Sequence, residues 1–83
     1  MKHVLRPLGR GVVYPEKNGW ILKVQKGRLV PEFDYYKVAD ARTPIKFQAT
    51  IKNQVNGDMK WGQFHDTFEL AKAEGLELLE KYA

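Results

Sequence analysis

The sequence predicts an α+β domain: an antiparallel β-sheet of about four or five strands, with one C-terminal α-helix packed on one face. Three observations carry that expectation. Residues 45–52 alternate between apolar and polar side chains, which is the period of a strand with one buried face. Turn-forming clusters containing Asn18-Gly19 and Asn56-Gly57 separate the apolar runs, and such short connections favour antiparallel pairing of consecutive strands. Finally, residues 66–83 repeat apolar side chains at spacings of three and four, as an amphipathic helix does.

Taken along the chain, residues 1–10 read as an extended arm or a short strand, with Pro7, Gly9 and Gly11 close together. Val12-Val13-Tyr14 and Trp20-Ile21-Leu22-Lys23-Val24 read as two strands joined by Pro15 to Gly19, where Asn18-Gly19 supplies positive φ. Lys26-Gly27-Arg28 reads as a further tight turn. Leu29 to Val38 is rich in aromatics; Pro31 argues for an edge or irregular stretch, and a strand is expected near Tyr35 to Ala39. Asp40 to Pro44 reads as a loop.

The second half is clearer. Ile45, Phe47, Ala49 and Ile51 alternate with Lys46, Gln48, Thr50 and Lys52. Asn53 to Asp58 reverses the chain, and Met59 to Phe64 is the expected return strand. The helix is expected over residues 66–82. Asp66-Thr67-Phe68-Glu69 has the form of a capping box with Asp66 as the cap, and Lys81 lies in the last turn, where the helix dipole favours a cation. Phe68, Ala71, Gly75, Leu78, Leu79 and Tyr82 form the apolar stripe. Gly75 costs about 1 kcal/mol against alanine in a helix, which predicts a compensating close approach of helix to sheet.

Length and composition bound the function. Eighty-three residues suffice for one domain, and 43% hydrophobic content is too high for a disordered tail. The absence of cysteine removes disulfides and thiolate metal sites and points to a reducing cytoplasm. The opening Met1 to Pro7 has no apolar run of signal-peptide length. No stretch approaches the ~20 apolar residues of a membrane span. A soluble protein with no membrane partner is therefore expected.

Net charge is +4, but its distribution says more. Twelve of the 14 lysines and arginines fall in residues 1–65 against five acids, a balance of +7; residues 66–83 hold the other two against five acids, a balance of −3. The expected sheet is basic and the expected helix acidic. Such asymmetry can orient a domain on a polyanion, although an acidic solvated helix face would look the same.

Catalytic equipment is sparse. The chain has no serine or cysteine nucleophile and only two histidines, His3 and His65, far apart. No cluster has metal-ligand spacing, and Gly9-Arg10-Gly11 is too short for a phosphate loop. Glu69, Glu74, Glu77 and Glu80 read as a solvated helix face, and His65 as exposed packing or a pH-sensitive contact. No enzyme, metal or cofactor is expected. Binding is better provided for. If Phe47, Ala49 and Ile51 face the helix, Lys46, Gln48, Thr50 and Lys52 project from the free face, with Lys60 and Trp61 on the next strand. Lysines neutralise phosphates, Gln and Thr reach base edges or sugars, and tryptophan stacks on a base. The plainer alternative is the polar outer face of any two-layer domain, with Trp20 and Trp61 both in the core.

Residues 47–82 resemble the strand–turn–strand–helix ending of AP2-type and integrase arm-binding DNA modules. The matching residues are Phe47-Gln48-Ala49-Thr50-Ile51, Asn56-Gly57, Gly62-Gln63-Phe64, and Thr67 with Ala71 four residues on. The resemblance implies a sheet inserted in the major groove of double-stranded DNA, with Lys46, Gln48, Thr50, Lys52 and Trp61 as contacts and Thr67 as helix cap. The chain departs from the pattern by one extra residue between Phe64 and Thr67, and by a longer, more aromatic first half.

A rival reading concerns Phe33, Tyr35 and Tyr36. Aromatic side chains mixed with acids suit a protein interface better than phosphate. In size and composition the chain is also similar to small phage accessory proteins that block host enzymes, which implies a protein-binding inhibitor or adaptor aimed at a host complex. Either function is compatible with a monomer, or with a homodimer paired through a free sheet edge.

Overall fold

The computed structural model describes residues 3–32 and 43–83. Within them the chain forms β1 (His3–Pro7), β2 (Val12–Val13), β3 (Trp20–Pro31), β4 (Ile45–Asn53), β5 (Met59–Trp61) and α1 (Phe68–Tyr82). Every pairing is antiparallel. The strand order is β1-β3-β4-β5, with β2 also paired to β3. The fold is α+β, a curled antiparallel sheet with one helix on one face. Phe33, Tyr35 and Tyr36, and the strand expected near Tyr35 to Ala39, lie outside the described residues.

β3 is the spine. Its first half pairs with β2 and its second half with β1, while β4 runs along its other side from Trp20↔Asn53 to Arg28↔Ile45. The expected turn at Lys26-Gly27-Arg28 does not form, and the strand continues to Pro31. Gly27 has a long-range reason instead. A Cβ there would collide with the Arg6 carbonyl oxygen and lie 2.7 Å from Leu5 Cγ, so glycine lets β1 cross closely.

The N-terminal arm is an edge of the sheet. Pro7 faces Gly27 and Val12 faces Val24, so the β1–β2 side carries two more residues than β3 between those pairs. The extra length is absorbed at Gly9-Arg10-Gly11. The β2–β3 connection ends in the two-residue turn that Asn-Gly favours: Asn18 has φ 50° and Gly19 φ 86°, and Lys17 and Trp20 exchange backbone hydrogen bonds of 2.8 and 2.9 Å. The β4–β5 turn is held by Asn53, whose Oδ1 accepts from the amides of Val55 (2.8 Å) and Asn56 (3.1 Å), an Asx-type arrangement.

The core lies between α1 and the sheet. Leu22, Val24, Ala49 and Ile51 are essentially fully buried beneath Ala71, Gly75 and Leu79, with Trp20 at one end. Full burial of a Leu, Ile or Val side chain contributes roughly 1.5–3 kcal/mol, so these few residues anchor the domain. The close approach expected at Gly75 is present. A Cβ there would lie 2.5 Å from Leu22 Cδ1 and 2.9 Å from Ala49 Cβ, so a larger residue would push the helix off the sheet. The cap is Thr67 rather than Asp66: its Oγ1 accepts from Leu70 N at 3.2 Å, and the helix begins at Phe68. Asp66 is drawn instead to Lys46.

Candidate nucleic-acid interface

Alternation along the strands builds two unlike faces. With Leu22, Val24, Ala49 and Ile51 under the helix, their neighbours Ile21, Lys23, Gln48, Thr50 and Lys52 must point to the other side. The register then aligns them in rows. Lys23 faces Thr50, and Thr50 faces Trp61; Val13 extends this row on the β2 side. Ile21 faces Lys52, and Lys52 faces Met59; Gln25 faces Gln48.

This open face is concave. One groove of about 390 Å³ is lined among others by Leu5, Val13, Ile21, Lys23, Thr50, Lys52 and Met59. A second, of about 540 Å³, is lined by His3, Val4, Leu5, Gln48, Trp61 and Phe64. β1 and β5 are opposite edges of the sheet, so a hollow they share requires the sheet to curl. Among the described residues, neither lining includes a carboxylate. Trp61 is 60% exposed, whereas Trp20 is 8% exposed in the core.

The six residues expected from the sequence divide three ways. Gln48, Thr50, Lys52 and Trp61 come together on the open face. Lys46 shares that side but is ion-paired to Asp66. Its hydrogen bond and then its charge hold the exposed Asp66 carboxyl below the usual carboxylate range. Lys60 lies apart from the others: it faces Ile51 on the helix side, with its ammonium 5.1 Å from the centroid of the Tyr82 ring. Sequence reasoning missed Lys23, which β3 places in the same row as Thr50 and Trp61. The signal was present, because Lys23 stands between Leu22 and Val24 and is out of phase with both.

Trp61 and Phe64 share the face because the chain slips by one residue between them. Thr50 faces Trp61, yet Phe47 bridges His65, which leaves three residues opposite two, a β-bulge. The bulge is well anchored. Gly62 N donates to Ala49 O at 2.8 Å, and Gln48 Nε2 donates to Gly62 O at 3.0 Å. From α1, Glu74 Oε1 accepts from Gln63 N at 2.6 Å and lies 2.9 Å from His65 Nε2. Glu74 and His65 are thus half-buried tethers between helix and sheet, not the solvated acid and exposed histidine expected. Glu69, Glu77 and Glu80 are exposed.

Among the described residues, no helix is long and apolar enough to cross a membrane, and no group of three or more His, Asp or Glu side chains converges as metal ligands would. No family model matches the chain, and no curated protein or solved structure matches it.

Proposed function

We propose that this chain is a non-catalytic protein that binds nucleic acid, DNA in the first instance, through the open face of its sheet. One observation carries the reading: the face left uncovered by the helix is concave, presents Lys23 and Lys52 beside an exposed Trp61, and has no carboxylate among the described residues of its lining. Cations there neutralise phosphate, and Thr50 and Gln48 offer hydrogen bonds to sugars or base edges. The acidic outer surface of α1 would face away from a polyanion bound there, so the charge asymmetry of the chain is aligned with the binding direction. The cysteine-free composition fits action in the cytoplasm.

The test is fluorescence anisotropy of a labelled oligonucleotide titrated at several salt concentrations. Binding should weaken steeply with salt, and Lys23→Gln/Lys52→Gln should reduce the log–log slope by roughly 1.4–1.8, about 0.7–0.9 for each phosphate no longer neutralised. Absence of binding at low salt would overturn the proposal. An unchanged slope in the double variant would place the binding surface elsewhere on the molecule.

A further inference from the structure

We infer that the open face takes single-stranded nucleic acid, with an unpaired base stacked on Trp61 and neighbouring phosphates held by Lys23 and Lys52. The inference rests on the nucleic-acid reading above and narrows it to one ligand class. Its first support is the apolar content of the face. Trp61 and Val13 are each 60% exposed and Met59 is 37% exposed, and Ile21, Leu5 and Phe64 also line the grooves. A duplex hides its base faces in the stack and offers a protein phosphates and groove edges, where only thymine methyls are apolar. An unpaired base exposes a π-face that an indole can cover.

Shape points the same way. A sheet that reads a duplex through its major groove must enter a channel about 12 Å wide, which calls for a protruding face. This face is recessed between residues of two opposite edges, His3 and Leu5 on one side and Trp61 and Phe64 on the other. A hollow of that form admits a narrow strand rather than a double helix.

Charge and register fit one nucleotide and its neighbours. Lys23 lies two strands from Trp61 with Thr50 between them, about 10 Å at ordinary strand spacing. Lys52 stands one strand from Trp61, two residues along from Thr50. A base on the indole therefore has a cation on either course of its backbone. Gln48 and Gln25 already donate their amides to Gly62 O (3.0 Å) and Lys26 O (2.8 Å). With part of their donor capacity committed to the protein, recognition rests on stacking and phosphate contact, so sequence preference should be weak.

The test compares a labelled mixed-sequence DNA strand with its own duplex, at one salt concentration, for wild type, Trp61→Ala and Trp61→Phe. The single strand should bind at least about tenfold more tightly than the duplex. Trp61→Ala should weaken single-strand binding by about 5- to 150-fold, leaving the salt slope and the thermal midpoint unchanged, and Trp61→Phe should retain most of the affinity. Equal or tighter duplex binding would overturn the inference while leaving the nucleic-acid reading in place. So would full affinity in Trp61→Ala. Failure of both strand and duplex to bind at low salt would remove both.

Discussion

The two faces of the sheet are made from alternate residues of the same strands, yet one is sealed and the other open. Leu22, Val24, Ala49 and Ile51 are at most 1% exposed beneath the helix. One residue away on the same strands, Lys23 and Lys52 are exposed and Trp61 stands 60% exposed opposite Thr50. The sealed face is apolar at its centre and closely fitted, down to the missing side chain at Gly75. The open face mixes apolar, aromatic and cationic groups that do not fill one another's space. The first arrangement stabilises the fold, and the second leaves surface for a ligand.

The largest test of that division is a pair of truncations. Leu22→Ala should lose about 2–5 kcal/mol, a large share of the roughly 4–12 kcal/mol expected for a domain this size. Trp61→Ala, although it removes a larger side chain, should cost no more than about 0.5 kcal/mol. Chemical denaturation of both variants decides the matter, and a similar loss in the two would mean that Trp61 is structural. A smaller effect separates two lysines close together on neighbouring strands. Lys52→Gln should lower the salt slope of binding by about 0.7–0.9, while Lys60→Gln, on the helix side beside Tyr82, should leave it alone. Equal drops would dissolve the distinction between faces.

The smallest effect belongs to the rim. Lys46 depresses the folded-state pKa of Asp66, so the pair's contribution is present above the ordinary aspartate pKa of about 3.9 and is lost as pH falls through the lowered value. Thermal midpoints of wild type and Asp66→Asn should differ only slightly at neutral pH, because the Asp66 carboxylate is exposed and screened by solvent, and should converge in acid as it is protonated. A gap that persists at about pH 2 would assign Asp66 some other role.

What was legible in the sequence was local. The alternation of Ile45 to Lys52 gave β4 and its inward residues, Asn18-Gly19 gave its turn, and the stripe from Phe68 to Tyr82 gave the helix and its close contact at Gly75. What was missed depends on distant partners. Lys26-Gly27-Arg28 has the chemistry of a turn, but its glycine answers to β1, twenty residues earlier in the chain. Lys60 looked like a neighbour of Lys52 until the register of the hairpin set it opposite Ile51. Phe64 joins Trp61 only because a bulge, held by Gln48 and by Glu74 from the helix, shifts the phase of alternation. Asp66 has good capping chemistry, yet the ion pair with Lys46 of β4 takes it and Thr67 serves in its place.

The most direct measurement is a residue-by-residue map of backbone amide chemical shifts as an unlabelled single strand is added at low salt. Changes should concentrate at Val13, Lys23, Thr50, Lys52, Met59 and Trp61, with Leu70, Glu77 and the other outer positions of the helix unmoved. Changes confined to the helix, or none at all, would contradict the assignment of the open face as the binding surface.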